Sequence, residues 1–375
     1  MNPRDVVIVS ACRTPIGKNM GQFKDVRARQ LAITAGAEAI KRADIDPKLI
    51  DGIVMGECFT AMEGSLAARQ VSMRLGFDER SNACVVNQNC ASGMRALDIQ
   101  ANNILLGKED IGMVIGVESM TNAPYLLEKA RMGYRMGDSK IFDNMLHDGL
   151  IDELSGGHMG LTAENVAEKY GITREECDKI AVRSHNLACK AIDEGIFKDE
   201  IVPVVLKTRK GEKVITDDEH PIRGCTMETL AKLKPAFKKD GVITAANASG
   251  INDAAAAVIL MSWEKCQELG KKPMAKLVTC VAEGVAPEVM GLGPAVAMPK
   301  ALKVAGLKWE DIDYFEVNEA FSAQVLGVER MLKEDYGYVV DWDKTNKFGS
   351  GIALGHPVGC TALRIIVTLV YEMIR

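Results

Sequence analysis

Residues 39–57 read AIKRADIDPKLIDGIVMGE, and residues 301–319 read ALKVAGLKWEDIDYFEVNE. The two stretches align without a gap. In each, an amphipathic run (residues 39–45 and 301–307) passes through a short turn into a largely apolar run (residues 50–57 and 312–319). Apolar residues three and four apart read as helix, and a short apolar run bounded by turn residues reads as strand. Helix therefore falls on helix and strand on strand. Chance similarity between two amphipathic helices is the competing explanation, but an ungapped helix-turn-strand match favours a duplicated α/β unit.

Working outward from the first copy, residues 6–10 read as a buried strand and residues 27–43 as a helix. Strands follow at 53–57, 84–87 and 111–117, with a helix at 90–106 stopped by Gly107. Strands alternating with helices predict α/β architecture. The second copy reaches its matching helix at about residues 359–375, where Arg364, Thr368, Glu372 and Arg375 mark a polar stripe. By analogy with the first copy, a further C-terminal strand is expected to complete the second sheet. Between the halves, roughly residues 120–250 form a different region. It holds a helical segment near 163–195 and the basic stretch 207–213, and reads as an insertion carrying binding and assembly surfaces.

The chain has 375 residues, 47% of them hydrophobic and 26% charged, with a net charge of −5. That is too long for one ordinary core and typical of a globular protein of two or three domains. No basic block points to nucleic acid or an anionic membrane surface, and no apolar run approaches a membrane span. The N-terminus lacks the apolar core of a signal peptide, so a cytoplasmic location is expected. Ten cysteines are scattered with no CxxC pair and no zinc-ligand spacing. Free thiols, mostly packing residues, are expected.

Cys90 differs from the other nine by its setting, VVNQNCASGM at residues 85–94, where an apolar run ends and a small-residue segment opens a helix. Unpaired N–H groups and the positive helix end favour a thiolate there, which predicts a lowered pKa and a nucleophile. An inert buried cap is the alternative. His356 lies in GSGIALGHPVGCT, residues 349–361, where Pro357 holds it on a turn before a helix. In the repeat this turn occupies the place of the Cys90 turn, so pseudo-twofold packing predicts a Cys–His pair. A structural turn histidine is the competing reading. Asn318, at the end of the repeated strand, could hold an oxyanion or water, or merely shape a turn. Residues 247–253, NASGIND, could line a narrow channel or cap a helix.

Taken together, NQNCASG, HMGLTAENVAEKY, NASGINDAAAA, VNEAF and GSGIALGHPVGCT, in this order, resemble the thiolase family from end to end except at the terminus. The resemblance implies a five-layered αβαβα fold of two similar halves with an inserted loop domain. The implied partition is residues 1–120 plus 251–271 for the first half, 121–250 for the loop domain and 272–375 for the second half. It implies Cys90 as the acylated nucleophile, His356 as its base, and Asn318 as the holder of an oxyanion-hole water. His158 and Ser249 are similar to contacts for the pantetheine arm, Arg223 to a contact near the adenine, and Met290 to a wall of the acyl pocket. Residues 125–136 resemble a tetramerisation loop. Acyl-CoA thioesters are then the substrates, with no metal or redox cofactor, no nucleic acid and no membrane, in a homodimer or homotetramer.

Three departures qualify the resemblance. The CxG loop that carries a second catalytic cysteine in thiolases is not present, which predicts retained acylation but poor condensation by a chain ending at Arg375. Phe348 stands where Asn is usual. Ala362-Leu363 replaces Gly-Ala and adds volume beside the nucleophile's helix. The favoured activity is acetyl-CoA C-acetyltransferase, joining two acetyl-CoA into acetoacetyl-CoA. The alternatives are a broader-chain 3-ketoacyl-CoA thiolase of β-oxidation and a non-catalytic CoA- or lipid-binding subunit.

Overall fold

The computed structural model describes residues 1–209 and 211–375, so Lys210 of the basic stretch lies outside the described residues. Five strands organise the first half: β1 (Val6–Arg13), β2 (Gly52–Gly56), β3 (Asn82–Val86), β4 (Ile111–Ser119) and β5 (Asn252–Ser262). Around them run helices α1 (Ala28–Ala43), α2 (Ser92–Leu105), α3 (Met159–Tyr170), α4 (Arg174–Asp193), α5 (Gly293–Ala305), α6 (Ser322–Tyr336) and α7 (Val358–Ile374). Among the described residues the main sheet runs Ala275–Lys276, β1, β5, β4, β2, β3, with Gly17–Lys18 paired beside β5. β2 is parallel to β3 and β4, whereas β5 is antiparallel to β1 and β4. Every residue of β5 is buried, as expected of a strand covered on both faces.

Alternation along the strands sorts the two cores. Ile53, Met55, Met113, Ile115, Ala255 and Ala257 pack against α1. Val54, Val114, Ala254, Ala256 and Val258 face the opposite way, into a layer shared by α2 and α7. That shared layer brings the starts of the two repeated helices together. A β-carbon on Gly93 would lie 2.8 Å from the Leu363 nitrogen, and one on Gly359 would lie 2.7 Å from the Val117 carbonyl oxygen. Neither position has room for a side chain. The volume added by Leu363 fills the crossing against Gly93 and Gly116.

The repeat is visible in detail as short 3-10 turns at matching places, Pro47–Leu49 and Trp309–Asp311. The strand expected over residues 312–319 is corrected. Among the described residues, that segment makes one isolated bridge, Phe315 to Thr345, and no ladder. A strand exists only through its neighbour's backbone groups. Here a side chain takes that part: Asn346 accepts from the Val317 N–H at 2.8 Å and donates to the Val317 carbonyl at 2.8 Å.

The polar stripe on α7 does not all face water. Arg364 and Thr368 are fully buried. Thr368 donates to Glu200 at 3.1 Å, and Glu200 also accepts from the buried Arg13 guanidinium at 2.5 Å. Asp218 closes the network on the other side of Arg13 at 2.7 Å. Buried charges persist when paired in this way. The region between the halves contributes α3, α4 and an antiparallel hairpin of Val204–Thr208 with Gly211–Ile215. In the 125–136 loop, Tyr125, Met132 and Met136 are exposed. No described helix is long and apolar enough to cross a membrane.

Candidate active site

Cys90 sits in the turn between β3 and α2, two residues before the helix starts at Ser92. Asn89 adopts φ +46°, a left-handed conformation that Asn tolerates better than most residues. The Ser92 hydroxyl donates to the Asn89 carbonyl at 2.6 Å and accepts from the Gln88 N–H at 2.8 Å, locking the turn. Phe59, Met120 and Val358 form the apolar cluster against which Cys90 packs. The expected lowering of its pKa is therefore corrected: burial pushes the Cys90 thiol up to about 11, outweighing the nearby backbone N–H groups, and the charge of Glu118 adds to the rise.

His356 lies on the turn before α7, with its Nε2 3.0 Å from the Cys90 Sγ. Burial pushes the imidazole down to about 4, and the Arg364 charge acts in the same direction. At neutral pH the resting pair is thus a thiol and a neutral imidazole, sharing one proton across a hydrogen bond. Two further residues hold the ring. Asn252 Oδ1 accepts the His356 backbone N–H at 2.9 Å. The Thr361 hydroxyl lies 2.6 Å from His356 Nδ1 and donates to the Pro357 carbonyl at 3.0 Å. With its own hydrogen so engaged, the Thr361 oxygen accepts from Nδ1–H, which leaves the Nε2 lone pair facing the thiol. Replacing Thr361 by Val keeps the shape and removes this acceptor. We expect acylation of Cys90 to slow roughly 10²-fold, the scale of a well-oriented general base. Thr361→Ser restores the rate; stopped-flow acylation measures both.

Asn318 lies in the bend after residues 312–317, and its Oδ1 is buried with no protein partner. Its position is set from both sides. The neighbouring Glu319 accepts from Ser184 at 2.5 Å and from Asn346 at 2.9 Å. A β-carbon on Gly351 would lie 2.4 Å from Asn318 Oδ1, so only glycine lets the preceding loop approach this amide.

The remaining sequence-derived residues lie on the intervening region and its borders. His158 caps α3, accepting from the Gly160 N–H at 3.0 Å, and stacks on Phe237 at 4.7 Å between ring centroids. The Ser249 N–H donates to the Ala320 carbonyl at 2.8 Å, tying NASG to the Asn318 loop. Met290 borders the core formed by α3 and α6. Arg223 is exposed and ion-paired to Asp193 at 2.8 Å. Among the described residues, no group of three or more His, Cys, Asp or Glu converges as metal ligands do. Thr361 and Glu118 escaped the sequence reading. Thr361 lies one helical turn beyond His356, a signal that was available. Glu118 is marked only by a carboxylate near the end of a largely apolar strand.

Comparison with known proteins places the whole chain in one family. The thiolase N-terminal domain model matches residues 6–264, and the thiolase C-terminal domain model matches residues 271–375. An acetyl-CoA acetyltransferase of Syntrophomonas wolfei subsp. wolfei is 51% identical over 99% of this chain and 93% of that protein. The Pseudomonas aeruginosa acetyl-CoA acetyltransferase is 44% identical, with 99% and 93% covered. A solved acetyl-CoA acetyltransferase from Syntrophomonas wolfei superposes with a TM-score of 0.99 at 62% identity, covering 100% of this chain and 94% of that one. Human mitochondrial 3-ketoacyl-CoA thiolase superposes at 0.94 with 38% identity, covering 100% and 93%. With both family domains matched in order and a cysteine and a histidine in contact where the two halves meet, the chain belongs to the thiolase family.

Proposed function

We propose that this protein is an acetyl-CoA C-acetyltransferase that works through an acetyl-Cys90 intermediate. The observation that carries the reading is the 3.0 Å contact between Cys90 Sγ and His356 Nε2. Full-length relatives with this name support the choice of acetyl-CoA as substrate. In the first stage the Cys90 proton passes to His356 Nε2 as the sulfur attacks the thioester carbonyl. The carbon–sulfur bond to CoA breaks, and the departing CoA sulfur takes the proton. One thioester replaces another, so the step is close to balanced in free energy. In the second stage the α-C–H bond of a second acetyl-CoA breaks as its α-carbon attacks the acetyl-Cys90 carbonyl; the carbon–sulfur bond to Cys90 then breaks, and the α-proton, carried by His356 Nε2, ends on the Cys90 sulfur, which returns to the thiol. An enolate oxygen develops on that second acetyl-CoA. Asn318 Oδ1 is suited to hold a water by one hydrogen, leaving the other hydrogen to donate to that oxygen. His158, Ser249 and Arg223 are the proposed contacts along CoA, and Met290 a wall of the acyl pocket.

Intact mass spectrometry after mixing with acetyl-CoA tests the proposal. One acetyl group per chain, mapped to the Cys90 peptide and released by free CoA, is the expected result. An unmodified chain, or acetyl on any other thiol, overturns it. Thiolysis of acetoacetyl-CoA outpacing that of a long-chain 3-ketoacyl-CoA assigns the short-chain activity; the reverse order assigns the activity named for the human neighbour.

A further inference from the structure

Glu118, the last residue but one of β4, is fully buried, directly behind the place where the two halves meet. Its carboxylate gathers three backbone N–H groups. Oε1 accepts from Phe59 at 3.1 Å, and Oε2 accepts from Cys58 at 3.1 Å and from Gly359 at 2.8 Å. Cys58 and Phe59 follow β2 in the first half, whereas Gly359 is in the first turn of α7, three residues after His356. One carboxylate oxygen thus bridges the two halves. Each arm continues to a reacting group. The Cys58 thiol donates to the Asn89 carbonyl at 3.3 Å and lies 3.5 Å from the Ser92 hydroxyl, inside the turn that presents Cys90. On the other arm, the α7 turn held at Gly359 carries Pro357, Thr361 and the imidazole.

We infer that Glu118 is a positioning residue for the acyl-transfer pair, fixing the Cys90–His356 separation by tethering the nucleophile turn and the α7 start to one carboxylate. This deepens the reading proposed above and rests on it. Other acceptors do not compete for these N–H groups, because a backbone carbonyl has one oxygen and cannot receive three donors from two segments at this spacing. A carboxylate suits the helix start as well, since α7 directs its positive end at Oε2.

The charge has a second consequence. Around Glu118 stand Glu57 on the loop end of β2, Cys58 beside it, Cys90 in the nucleophile turn, and Cys360 on α7, on which Arg364 also acts; Glu63 and Arg29 act on Glu57 from further out. Asp253, on the neighbouring strand β5, is turned to Thr121 instead. Burial and the Glu118 charge push Glu57 up to about 9, so Glu57 is neutral at pH 7. Glu118, pushed by burial to about 7, is the nearer anion once ionised, and it opposes a bare thiolate on Cys90. The site therefore favours attack concerted with proton transfer to His356 over a standing thiolate.

The test measures the pH profile of Cys90 alkylation by iodoacetamide, together with single-turnover acetylation by acetyl-CoA. Glu118→Gln removes the charge and turns one acceptor into a donor. We expect the alkylation midpoint to move down by about one pH unit, the scale of losing a like charge at this range. Acetylation is expected to slow at least tenfold while half-saturation by acetyl-CoA changes less than threefold. Glu118→Asp keeps the charge and shortens the reach, so its alkylation midpoint stays near wild type while acetylation still slows. If Glu118→Gln does not fold, Glu118→Asp and Cys58→Ala carry the test, the latter cutting only the arm to Asn89 and expected to slow acetylation severalfold. Unchanged acetylation in all folded variants, or slowing that is entirely a rise in half-saturation, overturns the inference. Wild-type protein that alkylates at Cys90 but never acetylates rejects the acyltransferase reading instead, which keeps the two failures apart.

Discussion

Cys90→Ala is expected to abolish acetyl-enzyme formation and to lower turnover by a factor on the order of 10⁵ or more, the scale on which removing a covalent nucleophile is felt. The reason is that, among the described residues, no second group in contact with His356 can replace the thiol. Cys58 is the nearest candidate by position, but burial and the Glu118 charge raise its pKa far above the ordinary thiol range, and its hydrogen is directed to Asn89. Cys360 is buried beneath the helix start, its thiol pushed up to about 12 by burial. Fold stability should barely change, because the turn is held by Asn89, Ser92 and Gln88 rather than by the thiol. Cys90→Ser separates nucleophile from hydrogen bond. It keeps a donor to His356, yet its acyl product is an ester, lower in free energy than the CoA thioester, so return to acetyl-CoA is blocked. Acetylated Ser variant that resists release by CoA, beside an inert Ala variant, is the expected pair of mass spectra. Turnover by the Ala variant within tenfold of wild type would reject Cys90 as nucleophile.

What was legible in the chain was what is local. β1, α1, β2, β3, α2 and β4 follow from apolar spacing, because each carries its own periodicity whichever partner covers it, as β1 does although it pairs with β5 and Ala275–Lys276 far along the chain. The paired helix starts followed from repeat symmetry, which converts a local match into a long-range contact. Failures came where partners lie far along the chain. Nothing near Arg364 or Thr368 announces Ser350 and Glu200, so the polar stripe was legible but not that this half of it is interior. Residues 312–319 carry a strand's composition, but a ladder depends on a neighbour that no local pattern supplies. The Cys90 acidity failed for a similar reason. The helix end is local and was counted, whereas the apolar wall of Phe59, Met120 and Val358 comes from three distant segments and dominates. Glu118 and Thr361 act on the site through such distant contacts or through geometry on a helix surface, and composition alone marks neither as part of it.

His356→Gln should show two effects that move independently. The first is kinetic. Without a neutral imidazole at 3.0 Å, the Cys90 proton has no acceptor during attack, and acetylation is expected to fall roughly 10³- to 10⁴-fold. The imidazole and the thiol give no step of their own in the wild-type acetylation rate across neutral pH, since burial holds them near 4 and near 11; an inflection near pH 7 belongs to Glu118. The second effect is on stability. An imidazole whose folded pKa lies near 4 has an ordinary value of 6.5 when unfolded, so the unfolded chain binds the extra proton first as pH falls. The contribution is whole above pH 6.5 and is lost progressively towards pH 4, at about 1.4 kcal/mol per pH unit within that window. His185, also pushed down to about 4 by burial, adds a parallel loss over the same range. His158 and His220 are also held down by burial, so His356→Gln removes one share of several: the fall in stability on acidification becomes shallower while theirs and that of His185 remain. Denaturant melts from pH 7 to pH 5 read the slope directly. A slope identical to wild type would mean that the imidazole is not held neutral by burial, and the absence of an imidazole step from the acetylation profile would lose its physical basis with it.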